Sequence, residues 1–397
     1  MHRLALFVGI GLAGFCAEAR VKTGLDILVE QNFAPLEGKR VAVVTNHSAL
    51  TYAGRHLVDL LVASRKVKLV CIFSPEHGFA GTSQGSVASG RHPASGVPIY
   101  SLHQEGMYRP TPEMLRGVEA LVFDMQDVGA RFYTYITTLG YVMEEAAKAS
   151  IPIYVLDRPN PINGVTVEGP LLDSMYESFV GYARLPIRHG MTMGELALLY
   201  NGERKIHADL HVIAMEGWER RMWYDETGLP WVNPSPAMLT LTEATLYPGS
   251  CLLDGPFTSA GRGTPFPFQV IGAPWMNSRA IAAYLNSRQV PGVHFLARTF
   301  RPAESQYAGQ ECEGVEPVIV DRNVFRAVLA GFEMVAALLK FHPGKLDVED
   351  KGFAQRLGNT DVIRRLKRGE DGLTIYDSIR DQTAAFSKIR ERYLLYR

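Results

Sequence analysis

Val118-Glu-Ala-Leu-Val-Phe-Asp-Met-Gln-Asp127 is a short apolar run that ends abruptly in acids and an amide. Such a run reads as a strand buried on both faces, as parallel strands are. The same pattern occurs three more times. Val41–Thr45 runs into Asn46-His47, Val67–Phe73 into Ser74-Pro75-Glu76-His77-Gly78, and Ile151–Asp157 into Arg158-Pro159-Asn160. Helical patterns separate them at residues 24–31, 57–64 and 135–150. Alternating strand and helix implies βαβ units with right-handed crossovers. The expected fold is therefore α/β, a Rossmann-like, mostly parallel, doubly wound sheet over residues 20–163. After Gly164 the chain is punctuated by Gly and Pro, as in Pro234-Ser235-Pro236 and Gly261-Arg262-Gly263-Thr264. A second, smaller α+β domain is expected over 164–397, contributing to a cleft. It should include an amphipathic helix at 323–341 and further helix at 375–395.

In open α/β sheets, ligands bind outside the carboxyl ends of the strands. Here that edge collects Asn46, Glu76, His77, Asp124, Gln126, Asp127, Asp157 and Arg158. Turn formation explains Pro75, Pro159 and Asn160 well. It explains Glu76, Gln126 and Arg158 poorly. Glu76 is the leading general acid, because a partly buried carboxyl retains its proton more readily. Asp124 and Glu168 are candidates for the second catalytic carboxylate. Arg131 is suited to pairing with an acid as structural glue, and Tyr133 to stacking on a sugar. His189, just before Gly190, is a further site candidate. Thr192 and Glu195 instead fit a capping box before Leu196–Tyr200.

Other chemistries lack support. No GxGxxG follows a strand, and no GxxxxGK[ST], HExxH or GxSxG occurs. No cofactor or metal is expected. The 41 basic and 41 acidic side chains balance, so nucleic acid is not an expected partner. The N-terminus has a basic start, the apolar run Leu4–Phe15 and Ala17-Glu18-Ala19. That is the pattern of a cleaved secretory signal over residues 1–19. The mature chain is then expected outside the cytoplasm, secreted or periplasmic, with no stable membrane insertion. Cleavage would remove Cys16 and leave Cys71, Cys251 and Cys312, so at least one thiol would be unpaired.

Several strings are long and unusual. Phe73–Phe79 (FSPEHGF), Phe123–Tyr135 (FDMQDVGARFYTY), Leu156–Pro161 (LDRPNP), Arg188–Glu195 (RHGMTMGE) and Gly261–Thr264 (GRGT) resemble the bacterial family once called DUF1343. That family is now associated with exo-β-N-acetylmuramidases of the NamZ type. The resemblance spans nearly the whole chain from about Thr23. It implies a Rossmann-like domain, a smaller C-terminal domain and a cleft between them. It implies release of terminal N-acetylmuramic acid from the non-reducing end of peptidoglycan fragments. The family's proposed catalytic glutamate falls on Glu76. Arg262, flanked by glycines, is the candidate for holding the sugar's lactyl carboxylate, which Arg can grip bidentately. Two stretches depart from the family pattern: Ala237 follows Pro-Ser-Pro, and Asp254-Gly255-Pro256-Phe257 precedes GRGT. The competing readings are a non-catalytic amino-sugar binding protein and a hydrolase of another class.

Overall fold

The computed structural model describes residues 20–104 and 106–397. The signal-like segment 1–19, with Cys16, lies outside the described residues. Seven strands form the large sheet: β1 (Arg40–Thr45), β2 (Lys68–Ser74), β3 (Gly90–Arg91), β4 (Pro98–Ser101), β5 (Ala120–Asp124), β6 (Ile153–Leu156) and β7 (Leu210–Ile213). Their order is β3-β4-β2-β1-β5-β6-β7. Every pairing is parallel except β3 with β4.

The double winding follows from side-chain alternation within each strand. Val41 and Val43 of β1, Ile72 of β2 and Val122 of β5 share one core with Leu25, Leu28, Leu57 and Leu61. Those leucines belong to α1 (Gly24–Glu30) and α2 (Leu57–Ala63). Ala42, Val44, Phe73, Leu121 and Phe123 face the opposite way. They pack with α3 (Tyr135–Lys148) and α4 (Met193–Glu203). α4 begins at the expected capping box, where Thr192 and Glu195 exchange bonds.

The sheet does not stop at residue 163. β7 extends it at residues 210–213, paired in parallel with β6. As an edge strand it is only half-buried. The hairpin β3–β4 at the other edge is half-exposed too, and its mixed composition leaves no strand signal in the sequence.

Beyond the sheet come α5 (Leu241–Ser250), β8 (Ile271–Ala273), α6 (Ser278–Ser287), β9 (Val293–Phe300), β10 (Cys312–Ile319) and α7 (Ala327–Phe341). The strands form a small antiparallel sheet in the order β8-β10-β9. Four helices follow: α8 (Lys351–Leu357), α9 (Thr360–Lys367), α10 (Gly372–Ser378) and α11 (Arg380–Arg390). The C-terminal helical pattern therefore breaks at Ile379. The helix expected from 323 starts at Ala327, because residues before it are held in a turn by Asp321. Phe332, Val335 and Leu338 of α7 share the core formed on the second face of the large sheet. One apolar core thus fastens both parts of the chain. Cys71, Cys251 and Cys312 are buried, and no disulfide joins them among the described residues.

Helices α5 and α7 touch backbone to backbone at Gly249 and Gly331. A Cβ on Gly249 would lie 2.0 Å from the Ala327 carbonyl oxygen. Main chain cannot yield as a side-chain tip can. Gly249→Ala is therefore expected to destabilise the protein by about 1–3 kcal/mol, as overpacking does. Thermal unfolding of the variant tests this; an unchanged midpoint would show that the helices separate without penalty.

Candidate active site

A cavity of about 450 Å³ lies at the C-terminal edge of the large sheet, within the size range of small-ligand pockets. Glu76, His77 and Thr134 line it from the sheet side. Ser235, Ala237, Asp254, Arg262 and Glu304 line it from the later part of the chain. Of the residues expected from sequence, the structure brings Glu76, His77, Tyr133 and Arg262 together here.

Glu76 follows β2 in a tight turn. Its neighbours His77 and Gly78 both have left-handed backbones, with φ of 68° and 76°. Thr134, at the start of α3, donates its hydroxyl to Glu76 Oε2 at 2.5 Å. Oε1 is left facing His103 Nε2 at 3.9 Å, beyond hydrogen-bond range. One carboxylate oxygen is thus anchored and the other is available to a ligand. Burial pushes the His77 imidazole below its ordinary pKa, against the pull of the Glu76 charge. Its Nδ1 lies 2.6 Å from the Ser83 carbonyl oxygen. Tyr133 presents a buried hydroxyl beside Ser235 that completes no hydrogen bond among the described residues.

Arg262 makes a forked pair with Asp254, its Nε at 3.1 and 3.0 Å and its Nη2 at 2.8 Å from the carboxylate oxygens. Burial pulls the guanidinium pKa down, but Asp254 outweighs it and holds the pKa above its ordinary range.

The other expected site residues are buried supports away from the cavity. Asp124, expected as a catalytic carboxylate, does not line the cavity: both its oxygens are taken by Arg158, and neither residue is exposed. Glu168, expected as the second carboxylate, does not line it either. It is buried, accepts from the Val328 amide at 3.1 Å and so caps α7. Arg188 and Arg326 lie 3.9 and 3.8 Å from its other oxygen. Asp157 accepts from Thr192 Oγ1, the Gly194 amide and the Tyr396 hydroxyl. Arg131 donates to four main-chain carbonyls. Asn46 donates to the Tyr135 hydroxyl, which in turn donates to the Pro234 carbonyl. It thereby holds the Pro-Ser-Pro wall in place from behind. Gln126 donates to the carbonyls of Asp127 and Pro159.

Asp127 and His189 form a second buried polar pair, with Nε2 3.8 Å from Oδ2. Burial raises the Asp127 carboxyl to about 7. Burial, with Arg390 and Arg188 nearby, lowers the His189 imidazole to about 3.

The sequence reading missed Thr134, His103 and Asp254. Thr134 was overshadowed by the tyrosines around it. His103 follows the unrecognised β4. Asp254 is fixed in the site by Arg262, eight residues later.

A doubly wound sheet with one anchored, accessible carboxyl group over a polar cavity defines the type of cleft that a glycosidase uses. The family profile for exo-beta-N-acetylmuramidase NamZ, N-terminal, matches residues 41–242, and its C-terminal counterpart matches 245–396. The chain belongs to the NamZ family. It is 41% identical over 380 residues to the peptidoglycan beta-N-acetylmuramidase NamZ of Bacillus subtilis, covering 95% of this chain and 92% of that protein. Two crystal structures of DUF1343 family proteins from Bacteroides fragilis share the fold. One has a TM-score of 0.88 at 35% identity, covering 95% of this chain and 99% of the other. The second has a TM-score of 0.76 at 30% identity, covering 96% and 99%.

A histidine whose folded pKa is depressed contributes stability above its unfolded pKa and loses it as pH falls toward the folded value. For His189 that window runs from about 6.5 down to about 3. Asp127 acts in the opposite sense, since its raised carboxyl weakens the fold as pH climbs toward about 7. His189→Gln is therefore expected to melt lower at neutral pH but to lose less further stability on acidification to pH ~4. Parallel melting curves for variant and wild type across that range would refute the assignment.

Proposed function

We propose that this protein is an exo-acting glycosidase that releases terminal N-acetylmuramic acid from the non-reducing end of peptidoglycan fragments. The observation that carries this is the Glu76 carboxyl, anchored by Thr134 through one oxygen and open to the cavity through the other. The likeness to the Bacillus subtilis enzyme supports the substrate. In this reading Glu76 Oε1 delivers a proton to the glycosidic oxygen as the bond to the muramic carbon breaks. The departing sugar leaves as an alcohol and water completes the hydrolysis. Thr134 keeps the carboxyl from rotating out of line, and positioning of this kind contributes much of general-acid catalysis. Arg262 meets the lactyl carboxylate through Nη1, which bonds no protein atom among the described residues. Glucosamine lacks that carboxylate.

Glu76→Gln retains the shape and removes the transferable proton. Turnover of a muramic acid–glucosamine disaccharide should fall by about 10²–10⁴-fold. The loss should be smaller on a chromogenic aryl N-acetylmuramide, whose leaving group hardly needs protonation. An N-acetylglucosaminide serves as the control and should react poorly with either protein. Full activity of the Gln variant on the disaccharide would remove Glu76 from catalysis. Absence of wild-type turnover on every amino sugar would favour a binding protein.

The same function needs access to cell wall. We propose export with cleavage after Ala19, supported by the apolar run and the Ala-Glu-Ala site. Mass spectrometry of the exported protein should find Arg20 at its N-terminus; an intact Met1 in the cytoplasm would contradict export.

A further inference from the structure

The Glu76 cavity accounts for the sugar that is released. A row of aromatic rings just outside it takes no part in that chemistry. Ser178 and Gly181 close a tight turn through reciprocal main-chain bonds of 2.9 and 3.0 Å, which puts Phe179 and Val180 at its tip. Val180 lines the Glu76 cavity. The Phe179 ring lies 4.5 Å from that of Tyr108, 5.5 Å from His103 and 6.4 Å from Tyr141, at interplanar angles of 30°, 30° and 26°. His103 is the same residue that stands 3.9 Å from Glu76. Beyond Tyr108 and Tyr141 a separate cavity of about 460 Å³ opens, lined also by Arg109, Thr111 and Glu145.

Tyr141 packs on the core, but core packing does not account for the two rings in front of it. Among the described residues, neither Tyr108 nor Phe179 belongs to the hydrophobic core or to the side chains packed on it. Both rings are half-buried. Tyr141 is fixed from its other side, with the Arg109 guanidinium 3.9 Å over its ring. Arg109 is in turn bound to Glu144 at 2.5 Å.

We propose that this row is the binding path of the saccharide on the leaving-group side of Glu76. The rings at Phe179 and Tyr108 carry the apolar faces of the hexosamines. The second cavity takes a further sugar, with Thr111, Glu145 and Arg109 meeting its hydroxyl and acetamido groups. This reading rests on the assignment of Glu76 as the acid, because the acid must sit between the released sugar and the one that departs. A pocket for one sugar, with a stacked exit for the rest of the chain, is what an exo-acting enzyme on a polymer needs. Rigid rings order a flexible chain at small entropic cost to the protein.

The test compares kcat/KM for a tetrasaccharide of two muramic acid–glucosamine repeats with that for the single disaccharide. Wild type should favour the longer substrate by up to about tenfold, the scale of one well-placed ring contact. Phe179→Ala should bring the ratio close to one, and Phe179→Tyr, which keeps the ring, should restore it. Binding of tri-N-acetylchitotriose is followed separately by saturation-transfer NMR, with the melting midpoint of each variant recorded. This probe contains no muramic acid and reports on the rings alone. Its signals should weaken in Phe179→Ala and return in Phe179→Tyr. An unaltered ratio together with unaltered chitotriose binding would overturn the proposal while leaving muramidase activity intact. Conversely, chitotriose binding that requires Phe179 in a protein inactive on every muramide would uphold the ring path and remove the hydrolytic reading of Glu76.

Discussion

The Arg131 guanidinium is fully buried and donates to four main-chain carbonyls: those of Pro170 and Leu185, and those of Arg356 and Leu357. A buried charge without partners is prohibitively expensive, so this one confines the segments that solvate it. Burial pulls its pKa down to about 9, with little help from Asp173. The residue leaves the end of β5, and its carbonyl partners come from the loop after β6 and from the end of α8. One side chain from the sheet edge therefore fixes where the C-terminal helices sit. Those helices carry Arg356 into the wall of the Glu76 cavity. The depth of the cavity follows from satisfying one cation.

The same rule shapes the rest of the sheet edge. Parallel strands bring their polar C-terminal residues together, where the second part of the chain covers them. Asp124 is matched by Arg158, Asp157 by two hydroxyls and two amides, and Asn46 by Tyr135. Glu195, besides capping its own helix, pairs with Arg220 and accepts from the Leu395 amide near the chain's end. Groups that look catalytic in a row of strand ends are mostly consumed in this way. Glu76 escapes because its turn carries it past the covered layer, where Thr134 occupies only one of its oxygens.

Much of the sheet was legible because buried parallel strands leave uninterrupted apolar runs, and Val41–Thr45 or Val118–Asp124 can hardly be anything else. β3 and β4 were not legible, because a short half-exposed hairpin at a sheet edge carries mixed composition. The site divides along similar lines. That Glu76 and Arg262 share a cavity follows the strings that carry them. The support role of Glu168 was not legible, because its partner amide at Val328 lies 160 residues away in sequence. Local patterns report what a segment is; they do not report which distant segment will solvate it. Arg131 reads as a partner for an acid, whereas in the structure its hydrogen bonds go to main-chain carbonyls, a solution that leaves no charge pattern in the sequence.

The departure from the family pattern at residues 254–257 takes on meaning in this light. Asp254 stands in that stretch and grips Arg262 through Nε and Nη2. A guanidinium held at two nitrogens has little freedom left, so the direction of its third is set before any ligand arrives. Phe257, from the same stretch, contributes its main-chain carbonyl to the Tyr307 hydroxyl at 3.1 Å and packs its ring on the core. Tyr307 lies in the loop that brings Glu304 and Ser305 to the cavity. The altered residues thus tie the rim loop down and orient Arg262, one of the two guanidinium groups that line the cavity. Recognition of a carboxylate by an arginine that already has an acid partner is weaker than by a bare one, because part of the charge is already matched. It is also more selective, since only a ligand group arriving along the direction of Nη1 gains the contact.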